Sequence, residues 1–213
     1  MFRNLRQLHR RLCPFCLQAG SRPVRTVVYL LMCLSTALGL GFGLSYMALV
    51  DRGLFGSFTL GPWVAWTGAG SPEPDPYTRA YVSRSGALQL ARAEGIRFVA
   101  SRDSAGQELD RSCTYRIDGN TPVSSFWTLF AVDRAFRLIS REGTALAMNS
   151  QRLARTNEGT ALVRVGPDLG ADNWLEITGE GDFRLVLTLY DSSVFSGFGA
   201  LVEVLPTILR EAC

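Results

Sequence analysis

The longest apolar run of the chain lies near its N-terminus. Residues 26–50, TVVYLLMCLSTALGLGFGLSYMALV, contain no charged residue. As an α-helix this segment would measure about 37 Å at about 1.5 Å per residue, which is enough to cross a hydrocarbon core of about 30 Å. The apolar region of a cleaved signal peptide is usually shorter and ends in a small-x-small site, whereas this run ends in YMALVDRG. We therefore expect an uncleaved transmembrane helix over residues 26–50.

Later in the chain the hydrophobic period changes to two, which is the period of β-strands. Apolar and polar positions alternate in GIRFVAS (95–101), in CTYRID (113–118) and in FRLVLTLY (183–190). The segment SFWTLFAVD (125–133) is apolar on both faces and predicts a central strand that is covered on both sides. Residues 160–166 add a further strand.

Three other segments complete the pattern. Asp75 can cap a short helix that ends near Ser85. Residues 140–155 are compatible with a short helix or with a loop. The last apolar run contains Pro206, which favours an edge strand or an irregular segment.

Short strands at this spacing, with one modest helix, predict a mainly β domain. We expect a jelly-roll-like β-sandwich. The predicted organisation runs along the chain as a basic arm (1–25), a transmembrane helix (26–50), a juxtamembrane connector (51–58) and the β-domain (59–213).

Charge is divided unevenly between the two parts of the chain. Residues 1–50 carry six arginines and no acidic residue, so the other 16 basic residues lie beyond residue 50 with all 19 acids. Arginines before the apolar run and Asp51 after it predict that the N-terminus is cytoplasmic and that the main domain is outside. The nearly neutral main domain lacks the basic stripe of a nucleic-acid-binding protein, so no nucleic acid partner is expected.

Two absences limit the possible chemistry. The chain contains no lysine, and its single histidine is His9, in the basic arm. Lysine Schiff bases, Ser-His-Asp triads and histidine-rich zinc sites are therefore excluded from the main domain. We expect no cofactor.

The five cysteines fall into three groups. Cys13 and Cys16 form a CPFC pair in the arm, which is a weak signal for a metal or redox site because no second pair faces it. Cys33 lies within the apolar run. Cys113 and Cys213 would be alone outside the membrane, where an oxidising compartment favours a disulfide. The alternative is a buried free thiol at Cys113 and a disordered terminal one at Cys213.

The stretch DNWLEI contains the most suggestive polar residues. Asp172 and Glu176 flank Trp174, and paired carboxylates beside an aromatic ring are typical of glycoside chemistry. The alternative is a structural corner at which Asn173 and Trp174 fix the chain and the acids are solvated.

A second polar set lies at strand ends and offers a weaker candidate for binding. Its members are Arg116, Asp118 and Asp133. An aspartate at the end of a strand is more often a turn former than a ligand contact.

The membrane helix itself has one candidate contact surface. Ser35, Gly39 and Gly43 are four residues apart and would form a face of small side chains that could support helix–helix association. Alternatively, these residues are simply common in membrane helices.

The order of several motifs resembles a known bacterial family. The motifs are LGPWVAW, DPYTRAYVSRSG, EGIRFVAS, CTYRIDG, SSFWTLFAVD, DNWLEI and FRLVLTLYD. Over residues 59–213 they resemble the domain of unknown function 1214, in particular its short membrane-anchored alphaproteobacterial members. In this chain NWLEITGEGDF replaces the proline-containing turn that many members have. The resemblance implies an all-β, jelly-roll-like domain without an established catalytic residue.

These observations lead to three hypotheses for the function. The first is a single-pass inner-membrane protein of a bacterium, with a periplasmic domain that binds an envelope protein, a glycan or another ligand. The second is a periplasmic carbohydrate-active enzyme that uses the paired carboxylates. The third is a structural subunit of a membrane complex.

Overall fold

The computed structural model of the protein describes most of the chain. The described residues are 22–50, 57–66, 68–86, 88–91, 93–121, 124–141, 143–157, 161–171, 173–192 and 205–213. Cys13, Cys16, Asp172 and nearly all of the predicted connector lie outside them. The chain forms two compact units, Met1–Val50 and Asp51–Cys213.

The described part of the first unit is the helix α1 (Arg22–Val50). Its segment Pro23–Met47 has a mean hydropathy of 2.0 and is long and apolar enough to cross a membrane. The hydroxyl groups of Ser35 and Thr36 both donate hydrogen bonds to the carbonyl oxygen of Met32, so the helix satisfies them internally. The predicted apolar helix is confirmed, and it begins four residues earlier than expected.

The second unit is mainly β, as predicted. Its helix α2 (Pro76–Ser85) is capped by Asp75, whose carboxylate accepts hydrogen bonds from the backbone amides of Tyr77 and Thr78. These bonds satisfy two of the amides that a helix N-terminus otherwise leaves unpaired. Gly86 ends the helix in a left-handed conformation.

Ten strands form two sheets. The large sheet has the order β1-β2-β3-β9-β5-β6, and the small sheet has the order β10-β4-β7-β8. The strands are β1 (Ser57–Leu60), β2 (Trp63–Trp66), β3 (Gly95–Ala100), β4 (Thr114–Asp118), β5 (Ser124–Val132), β6 (Met148–Asn149), β7 (Val163–Gly166), β8 (Asn173–Glu176), β9 (Arg184–Ser192) and β10 (Thr207–Ala212). The neighbouring strands pair antiparallel, except that β7 and β8 pair parallel.

The two sheets share one hydrophobic core. The large sheet contributes Phe98, Leu129 and Leu187, and the small sheet contributes Tyr115 and Val165. The period-two alternation of the sequence produces this arrangement, because every second side chain of a strand faces the other sheet. The structure is therefore a two-sheet β-sandwich, whereas the jelly-roll connectivity stays a prediction.

The expectation that residues 125–133 form a central strand covered on both sides was wrong for the first half of that strand. Leu129, Ala131 and Val132 are buried, but Trp127 is only half-buried. The neighbour on one side, β6, pairs only with residues 128 and 129. β5 is thus covered where it crosses the core and more open where it begins.

The remaining ambiguous segments are now assigned. Residues 140–155 contain the two-residue strand β6, and their other described residues form turns and irregular structure rather than a helix. Pro206 directly precedes β10, which is an edge strand of the small sheet, as its proline predicted.

Candidate functional site

The small sheet has two ends that differ in construction. The register places Gly166 beside Glu176, and Ala212 beside Thr114, at one end. We call this the closed end. Ile117 pairs with Val163, and Val163 with Asn173, toward the other end, which we call the cavity end.

A disulfide joins Cys113 to Cys213 at the closed end. The Cα atoms of the two residues are 3.9 Å apart, and their sequence separation is 100 residues. Cys113 is 3% exposed, so it points into the sandwich as its strand parity predicted. The predicted disulfide is confirmed.

The side chain of Thr114 packs closely against Gly166 at the closed end. A Cβ atom on Gly166 would lie 2.7 Å from the Thr114 hydroxyl oxygen and 3.2 Å from the Thr114 Cβ. A larger residue at position 166 would have to displace the Thr114 side chain, so this position favours glycine.

Glu176 is a buried acid at the closed end, and the expectation that it would be solvated was wrong. Its side chain is 4% exposed, and its Oε1 atom lies 3.0 Å from a guanidinium nitrogen of Arg141. The loop before β6 runs beside it, since the backbone amide and hydroxyl of Thr178 both donate to the carbonyl oxygen of Ile139. The carboxylate is therefore enclosed and ion-paired, which does not favour a role as a solvent-accessible acid or nucleophile.

The other members of the predicted carboxylate site are less complete. Asp172 lies outside the described residues, so the distance between the two carboxylates is not defined. Trp174 is half-buried, and its indole nitrogen donates a 3.2 Å hydrogen bond to the carbonyl oxygen of Gly166. This bond holds the ring against the small sheet, in agreement with the structural-corner alternative for this residue.

The second polar set is divided between two sheets. Arg116 lies 3.6 Å from Asp118 and 3.8 Å from Glu211, and Arg164 lies 3.1 Å from the same Glu211. These ion pairs tie together three strands of the small sheet on its outer face. Exposed pairs of this kind contribute little stability individually.

Asp133 lies apart from this network, on the turn after β5 of the large sheet. Its carboxylate accepts hydrogen bonds from the backbone amides of Ala135 and Arg137, at 2.8 and 2.9 Å, and from the Arg137 guanidinium at 2.8 Å. The bond from the Arg137 amide is the main reason that the pKa of Asp133 is below its usual value. Asp133 is therefore a turn former.

A cavity of about 220 Å³ lies at the cavity end, between the two sheets. Both sheets contribute residues to its wall. Its lining residues are Ile117, Gly119, Asn120, Thr121, Trp127, Leu129, Arg155, Ala161, Val163, Leu187 and Pro206. The interior side chains are almost inaccessible to solvent, whereas Asn120 and Arg155 are exposed at the rim.

Asn173 organises one wall of this cavity. Its side-chain oxygen accepts a 2.7 Å hydrogen bond from the amide of Ala154, and its side-chain nitrogen donates to the carbonyl oxygens of Ala154 and Leu162, at 2.9 and 2.8 Å. The residues that follow Ala154 and precede Leu162 are the lining residues Arg155 and Ala161. A single buried amide thus fixes both of them.

Metal chemistry has no support in the described part of the chain. No group of three or more histidine, cysteine, aspartate or glutamate residues is placed there to hold an ion. The CPFC pair lies outside that part, so its role as a metal site stays a prediction.

A family comparison covers most of the strands that build both ends of the small sheet. The model of the family described as "Protein of unknown function (DUF1214)" matches residues 94–194. The resemblance to DUF1214 is confirmed for this segment. It is narrower than the range 59–213 suggested by the motifs, and the DUF1214 segment leaves out β1, β2 and β10.

The chain is similar to solved structures, one of which has a similar fold over most of this chain. The VPA0106 protein from Vibrio parahaemolyticus is 18% identical with a TM-score of 0.51, and the match covers 63% of this chain and 35% of that one. A putative uncharacterized protein from Burkholderia cenocepacia is 15% identical with a TM-score of 0.43, over 55% of this chain and 30% of that one. The chain thus spans about a third of the length of these two proteins. No curated protein matches the chain.

Proposed function

We propose that this protein is a single-pass inner-membrane protein whose periplasmic β-sandwich binds a small ligand in the cavity between its sheets. The observation that carries this proposal is the cavity itself. Protein interiors are normally close-packed, and voids larger than a water molecule are few. Ligand sites are concave and combine hydrophobic side chains with a small number of placed polar groups, and the lining of this cavity contains both kinds of residue.

The size of the cavity limits what can be enclosed. Its volume of about 220 Å³ is below the range of about 300–1,000 Å³ that is common for drug-sized ligands. The ligand is therefore a small molecule, or one end of a larger molecule that extends past the rim.

Two features support the proposed location. Arginines precede α1, and the first acidic residue, Asp51, follows it, as expected when the N-terminus is cytoplasmic. The Cys113–Cys213 disulfide fits an oxidising compartment such as the periplasm. The helix by itself is compatible with an anchor or with a signal sequence, so the anchor is part of the proposal.

Reporter fusions test the location. A reporter that is active only in the periplasm, fused after Cys213, should be active, and a reporter that is active only in the cytoplasm should be inactive at the same position. The purified protein should retain residues 1–50. A mature protein that begins near residue 50 would contradict the anchor.

A cavity-filling variant tests the binding. Ala161 lines the cavity and is half-buried, so Ala161→Phe should fill part of the space with little strain. The matched control is Ala105→Phe, at an exposed position on the turn after β3. Full-length proteins in lipid nanodiscs would be compared by native mass spectrometry for a small molecule that copurifies with them.

The proposal expects a bound small molecule in the wild type and in Ala105→Phe, and its loss in Ala161→Phe. If all three proteins carry the same molecules, or if none carries any, the cavity is not a binding site. A protein partner that copurifies equally with all three would also contradict binding in the cavity.

A further inference from the structure

We propose that the ligand of this cavity is a neutral sugar unit, which stacks on Trp127 and forms hydrogen bonds with Asn120 and Thr121. The assignment rests on the binding function proposed above and adds the chemical class of the ligand. Three observations support it: the residues that supply the accessible surface of the cavity, the polar groups that are unpaired there, and the fixed position of the lining.

The accessible surface of the cavity is not mainly aliphatic. Leu129, Val163 and Leu187 are each 3% exposed or less, so they offer little surface to a ligand. Trp127 is half-buried and Asn120 is exposed, so both offer more. A ligand therefore meets one aromatic ring beside polar groups.

Trp127 supplies the aromatic surface. It shares strand parity with the core residues Leu129 and Ala131, so its side chain lies between the sheets. The face of an aromatic ring carries partial negative charge, whereas the C–H groups on one face of a sugar ring carry partial positive charge. Stacking of these two faces leaves the hydroxyl groups of the sugar free to form hydrogen bonds.

The polar side chains of the lining match hydroxyl groups. The side chains of Asn120 and Thr121 have no hydrogen-bond partner among the residues that the structure describes. A carboxamide and a hydroxyl can each donate and accept, as can every hydroxyl group of a sugar. A charged ligand would need an opposite charge, but no described lining residue is acidic and Arg155 already has an interaction.

The volume of the cavity fits one sugar ring. At about 30 Å³ for each water molecule, a volume of about 220 Å³ corresponds to about seven waters. One six-membered sugar ring with its hydroxyl groups is of this size. Because Asn120 is exposed at the rim, a second sugar unit would lie outside the cavity.

Two parts of the lining are fixed before a ligand binds. The amide of Trp127 donates to the hydroxyl of Ser150 at 3.3 Å, and its carbonyl oxygen accepts from the amide of Ser150 at 3.1 Å. The buried indole of Trp63 donates a 2.7 Å hydrogen bond to the carbonyl oxygen of Pro206. Gly119 packs against Pro206, since a Cβ atom there would lie 3.3 Å from the Pro206 Cα. Such preorganisation reduces the entropy that binding costs.

Titration with simple sugars tests the inference on the full-length protein in zwitterionic nanodiscs. The probes are the methyl glycosides of glucose, galactose, mannose and N-acetylglucosamine, followed by saturation-transfer NMR. We expect saturable binding of at least one of them. Cyclohexylmethanol, which has a ring but a single hydroxyl group, should bind at least about tenfold more weakly. The charged methyl glucuronide should bind no more tightly than the neutral sugars.

Variants of Trp127 test the stacking. Trp127→Leu should weaken the sugar about tenfold, and Trp127→Phe should retain part of the affinity because an aromatic face remains. Trp174→Leu is the matched control, since Trp174 is also half-buried but lies in β8 and does not line the cavity. It should bind the sugar as the wild type does.

Variants of the polar residues test the hydrogen bonds without disturbing the core. Asn120→Ala and Thr121→Val should each weaken the sugar about fivefold through the loss of a hydrogen bond. Gln151→Ala is the matched control, since Gln151 is an exposed amide that does not line the cavity.

A second arm identifies the source of the sugar. The methyl glycoside that binds would be compared with a disaccharide that carries the same unit at its nonreducing end. Equal or tighter binding of the disaccharide would identify the end of a glycan, and weaker binding would identify a free monosaccharide.

Three results would overturn the inference. In the first, no sugar of the panel binds. In the second, cyclohexylmethanol or methyl glucuronide binds more tightly than every neutral sugar. In the third, Trp127→Leu, Asn120→Ala and Thr121→Val all bind the sugar as the wild type does. If Ala161→Phe still loses its copurifying molecule in any of these cases, the proposed binding function stands and only the ligand class is wrong.

Discussion

The two ends of the small sheet are built differently, although the same four strands reach both of them. At the closed end, a disulfide, a close contact at Gly166 and an ion pair between the buried Glu176 and the exposed Arg141 join neighbouring elements. At the cavity end, residues of both sheets line a cavity of about 220 Å³. β8 links the two ends, because Glu176 belongs to the closed end and Asn173 to the cavity end.

This difference separates the residues that stabilise the domain from those that we propose to bind. The candidate acid Glu176 is paired and enclosed, whereas the cavity is lined by aliphatic, aromatic and polar residues that the sequence did not single out together. The disulfide and the other contacts of the closed end can also offset the packing energy that is lost where the cavity leaves side chains without neighbours. Four sets of variants test this division, in order of decreasing expected loss of unfolding free energy.

Removal of the disulfide should have the largest effect. The Cys113→Ser, Cys213→Ser double variant should lose about 4–5 kcal/mol of unfolding free energy, because the bond closes a loop of 100 residues in the unfolded chain. Denaturant unfolding of the full-length protein, followed by tryptophan fluorescence, would measure this loss. Cys33→Ser is the control, since Cys33 is the free cysteine of α1. A double variant as stable as this control would show that the closed end does not depend on the bond.

Asn173→Ala should be the most damaging of these changes at the cavity end. It removes three hydrogen bonds and leaves partly buried backbone groups without these partners, so we expect a loss of about 2–3 kcal/mol. Asn149→Ala is a matched control, because Asn149 accepts hydrogen bonds only from nearby turn amides, those of Gln151 and Arg152. Asn173→Ala should also reduce the amount of small molecule that copurifies with the protein, and Asn149→Ala should not. Equal losses in stability for both variants would contradict the organising role of Asn173.

The two partners of the ion pair at the closed end should differ in how much stability is lost when each is replaced. Arg141→Met leaves the Glu176 carboxylate buried without its partner and should cost about 2 kcal/mol, less than for a fully buried pair because Arg141 is 69% exposed. Glu176→Gln leaves the arginine in contact with water and should cost about 1 kcal/mol. Unfolding of both single variants and of the double variant would give the coupling. The reverse order of losses would mean that Glu176 is not the enclosed partner.

Trp127→Ala should have the smallest effect of the four. A tryptophan covered on both faces would cost about 3–5 kcal/mol on truncation, but Trp127 is half-buried beside an existing cavity. We therefore expect a loss of about 1–2 kcal/mol, together with a reduced amount of the copurifying small molecule. Leu129→Ala is the comparison, since Leu129 is 2% exposed and should cost more. A greater loss of unfolding free energy for Trp127→Ala than for Leu129→Ala would mean that Trp127 belongs to the buried core.

The sequence predicted the elements that depend on local chemistry. The Asp75 cap marks α2, and strict alternation marks β3, β4 and β9 with the correct inward faces. The disulfide followed from the distribution of cysteines along the chain. In each case the prediction needs only residues that are close together in the sequence, or the positions of one residue type.

The features that could not be predicted depend on contacts between distant segments. The burial of Glu176 results from the arrival of Arg141 on another loop. The cavity has lining residues from β4, β5, β7, β9 and the segments around Arg155 and Pro206, and none of these segments has a distinctive sequence. Asn173 was recognised as part of a corner, but only the fold shows that its amide meets the backbone of residue 154.

The pairing of β4 with β10 has a consequence for the time at which the domain can fold. The hydroxyl of Thr207 donates a hydrogen bond to the carbonyl oxygen of Asp118 across 89 residues of chain. At a synthesis rate of about 5–20 residues per second, one edge of β4 waits about 5–20 s for its partner. Cys113 waits with it, but residues 51–213 contain no cysteine other than Cys213 with which it could pair. Because residues 51–213 contain these two cysteines alone, the nascent domain cannot form a wrong disulfide within itself, however long synthesis takes.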